Sequence, residues 1–189
     1  MTETPGDSSV SWPVTASVDL HRDDWLVALR SDTVHRPGHP EETFARVVLE
    51  HPGAVIVLAV DDDERAACVR QYRHPATGTF LELPAGLRDS DGEDPLETAK
   101  RELAEEIGKA ADTWEHLTSF YTSPGFAAEE VHLYLATGLS DEEAEAEEEE
   151  RIEIVEIPLD ELDSAIADCH DSKSLVGLLW FRAFRSPSP

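Results

Sequence analysis

The chain has 189 residues, 40% of them apolar, and a formal net charge of −26; that length suits one domain with a real core and a small appended unit. Three lysines and twelve arginines stand against 41 acids, a balance that disfavours nucleic acid and anionic membranes as partners and asks any anionic substrate to find a local positive patch. No long apolar run is present, and no basic segment followed by an apolar one opens the chain, so a cytoplasmic protein with no membrane partner is expected.

Residues 1–13 read as a polar, disordered tail. Residues 14–50 carry three strand-like runs, at 14–20, 25–34 and 44–50, with His21-Arg22-Asp23-Asp24 and Pro37-Gly38-His39-Pro40 between them. These make a small antiparallel sheet that is too little to stand alone. It should pack on the main domain or on a partner subunit. Residues 51–185 are expected as the main domain. Within it, 53–60 is a continuous apolar run and reads as a buried central strand. Asp61-Asp62-Asp63-Glu64 reads as a polar hairpin turn, since the spaced ligands and glycine of a calcium loop are missing. A strand returns over 66–72, and 80–84 leads into the segment described next. Further on, 114–122 and 131–136 read as strands joined by the loop 123–130. Residues 141–150 are an acidic run expected as a solvated loop. The chain closes with a strand at 151–157, a helix at 158–167 and a helix at 172–184, where Leu175, Leu178, Leu179 and Phe181 lie near one face. Cys68 and Cys169 are far apart, in no metal-like spacing, and are expected as reduced thiols.

The chemistry concentrates between Glu82 and Lys109. Asp94 is suited to cap a helix, Pro95 to its first position, and Glu97 follows three residues after the cap. Leu96, Ala99, Leu103 and Ile107 recur at helical spacing, and Gly108 ends the pattern. At about 100° per residue, Glu102 and Glu106 fall side by side along the edge of that apolar stripe, with Glu105 further round. Carboxylates one turn apart repel, and a hard divalent cation removes the repulsion. The helix pattern alone fits a solvated acidic face equally well.

Gly86, Glu93, Arg101-Glu102-Leu103, Glu105-Glu106 and Gly108 together resemble the Nudix box, the signature of hydrolases acting on nucleoside diphosphates linked to another group. Two positions depart from the usual pattern. Six residues instead of five separate Gly86 from Glu93, a loop insertion of small cost, and Lys109 stands where an aliphatic residue is usual. Outside the box, Glu82-Leu83-Pro84-Ala85-Gly86, Gln71-Tyr72-Arg73-His74 and Ser123-Pro124-Gly125-Phe126 resemble the ADP-ribose pyrophosphatase subgroup, with Pro124 sixteen residues beyond Gly108.

The resemblance implies an α/β fold, a Nudix-type α/β/α sandwich with a mixed sheet, plus the small N-terminal antiparallel sheet at 14–50, exchanged in a homodimer. It implies hydrolysis of ADP-ribose to AMP and ribose 5-phosphate with Mg²⁺ or Mn²⁺. The implied metal ligands are Glu102, Glu105, Glu106 and the carbonyl of Ala85. Glu129 is the implied loop carboxylate that orients or deprotonates water, with Glu130 as its rival, beside Glu105 and Glu106 in the catalytic set. Arg46, Arg73, Glu82 and Phe126 are implied substrate contacts, although Arg46 and Arg70 also read as ordinary strand-edge charges. Gly86, Glu93 and Arg101 would be structural, with Arg101 and Glu93 pairing to tie loop to helix. Trp114 reads as packing. The alternatives are a Nudix hydrolase of another nucleoside diphosphate sugar or a dinucleotide, a non-catalytic module that binds ADP-ribose, and an acidic chelating protein resting only on 141–150.

Overall fold

The computed structural model describes residues 11–22, 28–88, 92–143 and 152–185. The chain divides into two compact units, Met1–His51 with Ser123–Glu129, and Pro52–Thr122 with Glu130–Pro189.

In the first unit, Val14–Arg22 forms β1, Ala28–Arg36 β2 and His39–Glu50 β3, an antiparallel sheet in that order. The expected start of the second strand at Trp25 lies outside the described residues. The third strand begins five residues before the expected Phe44, because Gly38, at φ 79°, makes the turn compact. Pro40 is tolerated there because β3 is an edge strand of its sheet. Beyond β3, the segment Ser123–Glu129 turns on itself, with the amides of Phe126 and Ala127 both donating to the Ser123 carbonyl. It then joins the end of β3. The Leu49 amide donates to the Phe126 carbonyl at 2.7 Å, the Ala128 amide donates to the Leu49 carbonyl at 2.9 Å, and Leu49 and Ala127 form a parallel bridge.

The second unit is built on β4 (Ala54–Val60), all seven residues of which are buried. Its strands are β5 (Arg65–Arg73), β6 (Gly78–Glu82), β7 (Ala85–Leu87), β8 (Lys109–Tyr121), β9 (Glu130–Asp141) and β10 (Glu153–Pro158). The sheet runs β10-β5-β4-β9-β8, with β6 beside β5 and β7 beside β4. Among the described residues of this sheet, β4 and β9 pair in parallel and the other pairs are antiparallel, so the sheet is mixed. Both faces are covered, which is why β4 is apolar throughout and does not alternate. On one face Val55, Val57 and Ala59 pack against Ala99, Leu103 and Ile107 of α1 (Pro95–Ile107). On the other, Ile56, Leu58 and Leu133 pack against α2 (Leu162–Asp168) and α3 (Ser172–Phe184). This is an α/β/α sandwich.

Several boundaries differ from expectation. β8 starts at Lys109, directly after Gly108, because the left-handed Gly108 (φ 65°) reverses the chain straight into pairing with Asp141. Asp141 is thereby the last residue of β9 and takes the Lys109 ammonium at 2.6 Å, so it does not belong to a loop; the rest of the acidic run from 144 to 150 lies outside the described residues. The expected helix at 158–167 is a short 3-10 turn, Leu159–Glu161, followed by α2. On α3 the buried residues are Ser174, Gly177, Leu178 and Phe181, while Leu179 is 46% exposed. Gly177 brings that face close to the sheet: a Cβ there would lie 2.6 Å from the Leu83 side chain.

Candidate functional site

The box helix begins as its sequence requires. Asp94 sits in extended conformation and its carboxylate accepts from the Leu96 amide at 3.0 Å. Glu97 turns to Lys100, 2.7 Å away. The helix lies against β7, and three contacts set the spacing between them. The Ala85 amide donates to Glu106 Oε2 at 3.0 Å. Arg101 donates to the Leu87 carbonyl at 3.1 Å. Gly86 faces Glu102 so closely that a Cβ would fall 1.8 Å from the Glu102 Cδ. Gly86 is therefore needed for space; its φ lies outside the left-handed region.

Arg101 Nη1 sits 2.9 Å from Glu102 Oε1 and 2.9 Å from Glu105 Oε2. The structure thus gathers Glu102, Glu105, Glu106, Ala85, Gly86 and Arg101 at one place, with the Glu102 side chain 12% exposed. Arg101 thus faces two of the three carboxylates, whose side chains are partly screened from water at 12% exposure for Glu102 and 28% for Glu105. The cradle at Gly86 keeps the Glu102 carboxylate seated where a methyl group would displace it. Carboxylate oxygens of this kind are the donors that a hard divalent cation takes, although among the described residues the ligand atoms of Glu102, Glu105 and Glu106 do not all lie within 4.8 Å of one another.

The Glu93 carbonyl accepts from Arg88 Nη2 at 2.7 Å. Arg88, whose own amide donates to Gly53, was not singled out by sequence. No motif marks it; its position follows from the pairing of β7 with β4. Arg73 and Glu82 meet across β5 and β6 in a two-pronged pair, at 2.9 and 2.7 Å, with Glu82 only 2% exposed. Such a pair holds the guanidinium plane fixed while its solvent side stays open, since Arg73 is 39% exposed. Trp114 is packing, as expected: its ring lies edge-on to Tyr134 and its Nε1 donates to the Ala111 carbonyl.

Arg46, Phe126 and Glu129 belong to the other unit. Arg46 lies on the exposed part of β3 with its guanidinium 5.5 Å from the Phe44 ring centre. Phe126 is 56% exposed at the tip of its loop. Glu129 lies 3.8 Å from His51, a residue that sequence reasoning missed. Glu130 opens β9, opposite Tyr121.

Among the described residues, His39, Glu41 and Glu42 bring ligand atoms within 4.8 Å of one another, close enough to share a cation. They lie at the start of β3, and Glu42 is already paired with Arg36 at 3.1 Å. A cleft of about 540 Å³ beside β5, β6, β10 and α2 is lined by Arg70, Phe80, Glu156, Asp168 and His170 among others, and by no residue of the box. Both cysteines are buried and free, and burial pushes the Cys68 thiol up to about 12, which removes it as a nucleophile. No helix among the described residues is long and apolar enough to cross a membrane.

A family model described as NUDIX domain matches residues 50–176. The chain is 40% identical over 161 residues to a protein of Bacillus methanolicus named methanol dehydrogenase activator, covering 83% of this chain and 85% of that one. It is 47% identical over 118 residues to an ADP-ribose pyrophosphatase of Bacillus subtilis, covering 61% of this chain and 63% of that one, which is under two thirds of the relative's length. A solved structure titled as an ADP compounds hydrolase superposes with a TM-score of 0.78 at 22% identity, over 92% of this chain and 93% of that one, and speaks for the fold.

Proposed function

The chain belongs to the NUDIX family; from that premise we propose that it is a hydrolase of a nucleoside diphosphate-linked compound, that the compound is ADP-ribose and that the products are AMP and ribose 5-phosphate. The observation that carries the reading is the carboxylate set Glu102, Glu105 and Glu106 assembled against Ala85 and Gly86. The name of the Bacillus subtilis relative supports the choice of substrate.

In this reading Glu102, Glu105, Glu106 and the Ala85 carbonyl hold one or more Mg²⁺ or Mn²⁺ ions. A bound divalent ion neutralises the diphosphate, whose charge otherwise repels a nucleophile. Arg101 keeps two of the carboxylates in place before the ion arrives. Arg73, held by Glu82, offers the exposed side of its guanidinium to a phosphate or the terminal ribose. Glu129 orients the attacking water and takes its proton, Phe126 lies against the adenine, and Arg46 meets the substrate, in one subunit or the other. The protein acts in the cytoplasm, where its two buried thiols stay reduced.

The test is a panel of ADP-ribose, other nucleoside diphosphate sugars, diadenosine polyphosphates and NADH, each with Mg²⁺, products followed by chromatography. ADP-ribose should be turned over in preference to the rest. Faster cleavage of another member would keep the chemistry and replace the substrate. Binding of ADP-ribose with no cleavage under either metal would point to a sensor module, a reading that the complete carboxylate set speaks against.

We also propose that residues 14–50 serve a homodimer. Val14, Val18, Leu20 and Val47 are each about half exposed or more, at 56, 61, 54 and 49%, and a second copy would cover them. Sedimentation equilibrium should return twice the mass of the chain, and Val18→Asp should shift it toward the monomer. A wild-type monomer at micromolar concentration would remove the proposal.

A further inference from the structure

We infer that His51 is the positioning residue of Glu129, an inference that rests on Glu129 being the loop carboxylate of the reaction. The register of the first unit carries it. Leu49 and Ala127 are partners in a parallel bridge, flanked by the hydrogen bonds from Leu49 to Phe126 and from Ala128 to Leu49. In extended backbone, side chains two residues apart point to the same face. Counting two residues on from each bridge partner therefore sets His51 beside Glu129. The side chains bear this out: His51 Nε2 lies 3.8 Å from Glu129 Oε1, with exposures of 11 and 20%.

The same register separates the two glutamates of the loop. Glu130, one residue further, is turned to the other face and enters the ladder of β9 opposite Tyr121. Glu129 alone of the two has the imidazole beside it at this position. At 3.8 Å the contact is longer than a hydrogen bond, and it becomes an ion pair when the imidazole carries its second proton.

The chemical consequence is rotamer control. A glutamate side chain has three freely rotating bonds, and a general base contributes only when its oxygen stays within hydrogen-bond reach of the water. His51 engages Oε1 and narrows the positions open to the carboxylate. In this role it acts through the Glu129 carboxylate rather than on the substrate. Its removal should therefore lower kcat through Glu129 and leave substrate binding alone.

The experiment is a double-mutant cycle on the full chain with ADP-ribose and Mg²⁺, using His51→Ala, Glu129→Gln and the pair. His51→Ala should lower kcat by about tenfold with KM within about twofold. His51→Gln, which keeps a polar group at the same reach, should recover most of the loss. The double variant should be no slower than Glu129→Gln alone. Equal melting temperatures for wild type and His51→Ala would show that the loss is not one of folding; if His51→Ala does not fold, His51→Gln and His51→Asn replace it in the cycle. Losses that multiply in the double variant, a loss carried by KM, or wild-type kcat in His51→Ala would each overturn the inference. Full kcat in Glu129→Gln would instead overturn the underlying role of Glu129, and that result is visible before His51 is touched.

Discussion

Glu106→Gln is expected to lower kcat by at least about 100-fold while leaving the fold intact. Losing a group that merely orients a ligand typically costs 10–100-fold, and Glu106 is proposed to be a ligand itself. The substitution changes one oxygen for an NH₂ group and removes one charge. The remaining amide oxygen can still accept from the Ala85 amide, the bond that Glu106 Oε2 makes at 3.0 Å. The tie between α1 and β7 therefore survives. What is lost is the second oxygen, replaced by hydrogens that point positive charge at the ion. Without a divalent cation the variant should be as stable as the wild type, within about 1 kcal/mol, because one negative charge leaves a crowded set. The measurements are kcat at saturating ADP-ribose across a Mg²⁺ series and urea unfolding without metal. Wild-type turnover would remove Glu106 from the ligand set. An unfolded variant would make its role structural.

Gly86→Ala should damage the site selectively, with kcat/KM down by at least about tenfold and a higher Mg²⁺ concentration needed for half-maximal rate. A Cβ at position 86 would stand 1.8 Å from Cδ and 1.9 Å from Oε1 of Glu102, which is overlap. Something must move. The obstructing atoms are the tip of a flexible side chain, so the carboxylate gives way and the backbone does not. Residue 86 does not occupy the left-handed region, so alanine brings no strain of its own. The displaced Glu102 would also leave Arg101, its neighbour at 2.9 Å. The melting temperature should shift by only a few degrees, roughly the size of a 1 kcal/mol change. Unchanged metal dependence would mean that the Glu102 carboxylate is not needed where it sits.

The two variants probe opposite sides of one arrangement, one by removing a donor and the other by removing the space for one. They differ in what they leave behind. After Glu106→Gln the cradle keeps its shape and lacks a charge. After Gly86→Ala the charge remains and is out of place, so raised Mg²⁺ should recover part of the activity only in the second case.

Local rules were enough for much of this protein. Apolar periodicity and a capped, glycine-ended segment marked α1, and a continuous apolar run marked β4, because helix caps and two-sided burial leave their signature within a few residues. The box residues could be read for the same reason: they sit on one helix and one turn, and their spacing is their geometry. The resemblance extended that to a sandwich with a mixed sheet, which the paired strands and the two helical layers match.

Boundaries that depend on a partner strand were less legible. The start of β8 at Lys109 follows from its ladder with β9, and the exposure of Leu179 follows from how closely Gly177 lets α3 approach the sheet. Three pairings among the candidate residues and their neighbours had no local signal at all. Arg88 reaches Glu93 only because β7 lies along β4. Arg73 and Glu82, nine residues apart in sequence, pair because β5 and β6 run antiparallel. His51 meets Glu129 across 78 positions because one parallel bridge sets the register of two short segments. By itself, then, the sequence determined which elements form and which carboxylates share a helix edge, since those follow from backbone geometry over one or two turns. Only the tertiary structure decided which charged groups face one another, since that follows from strand register and close approach between segments far apart in the chain.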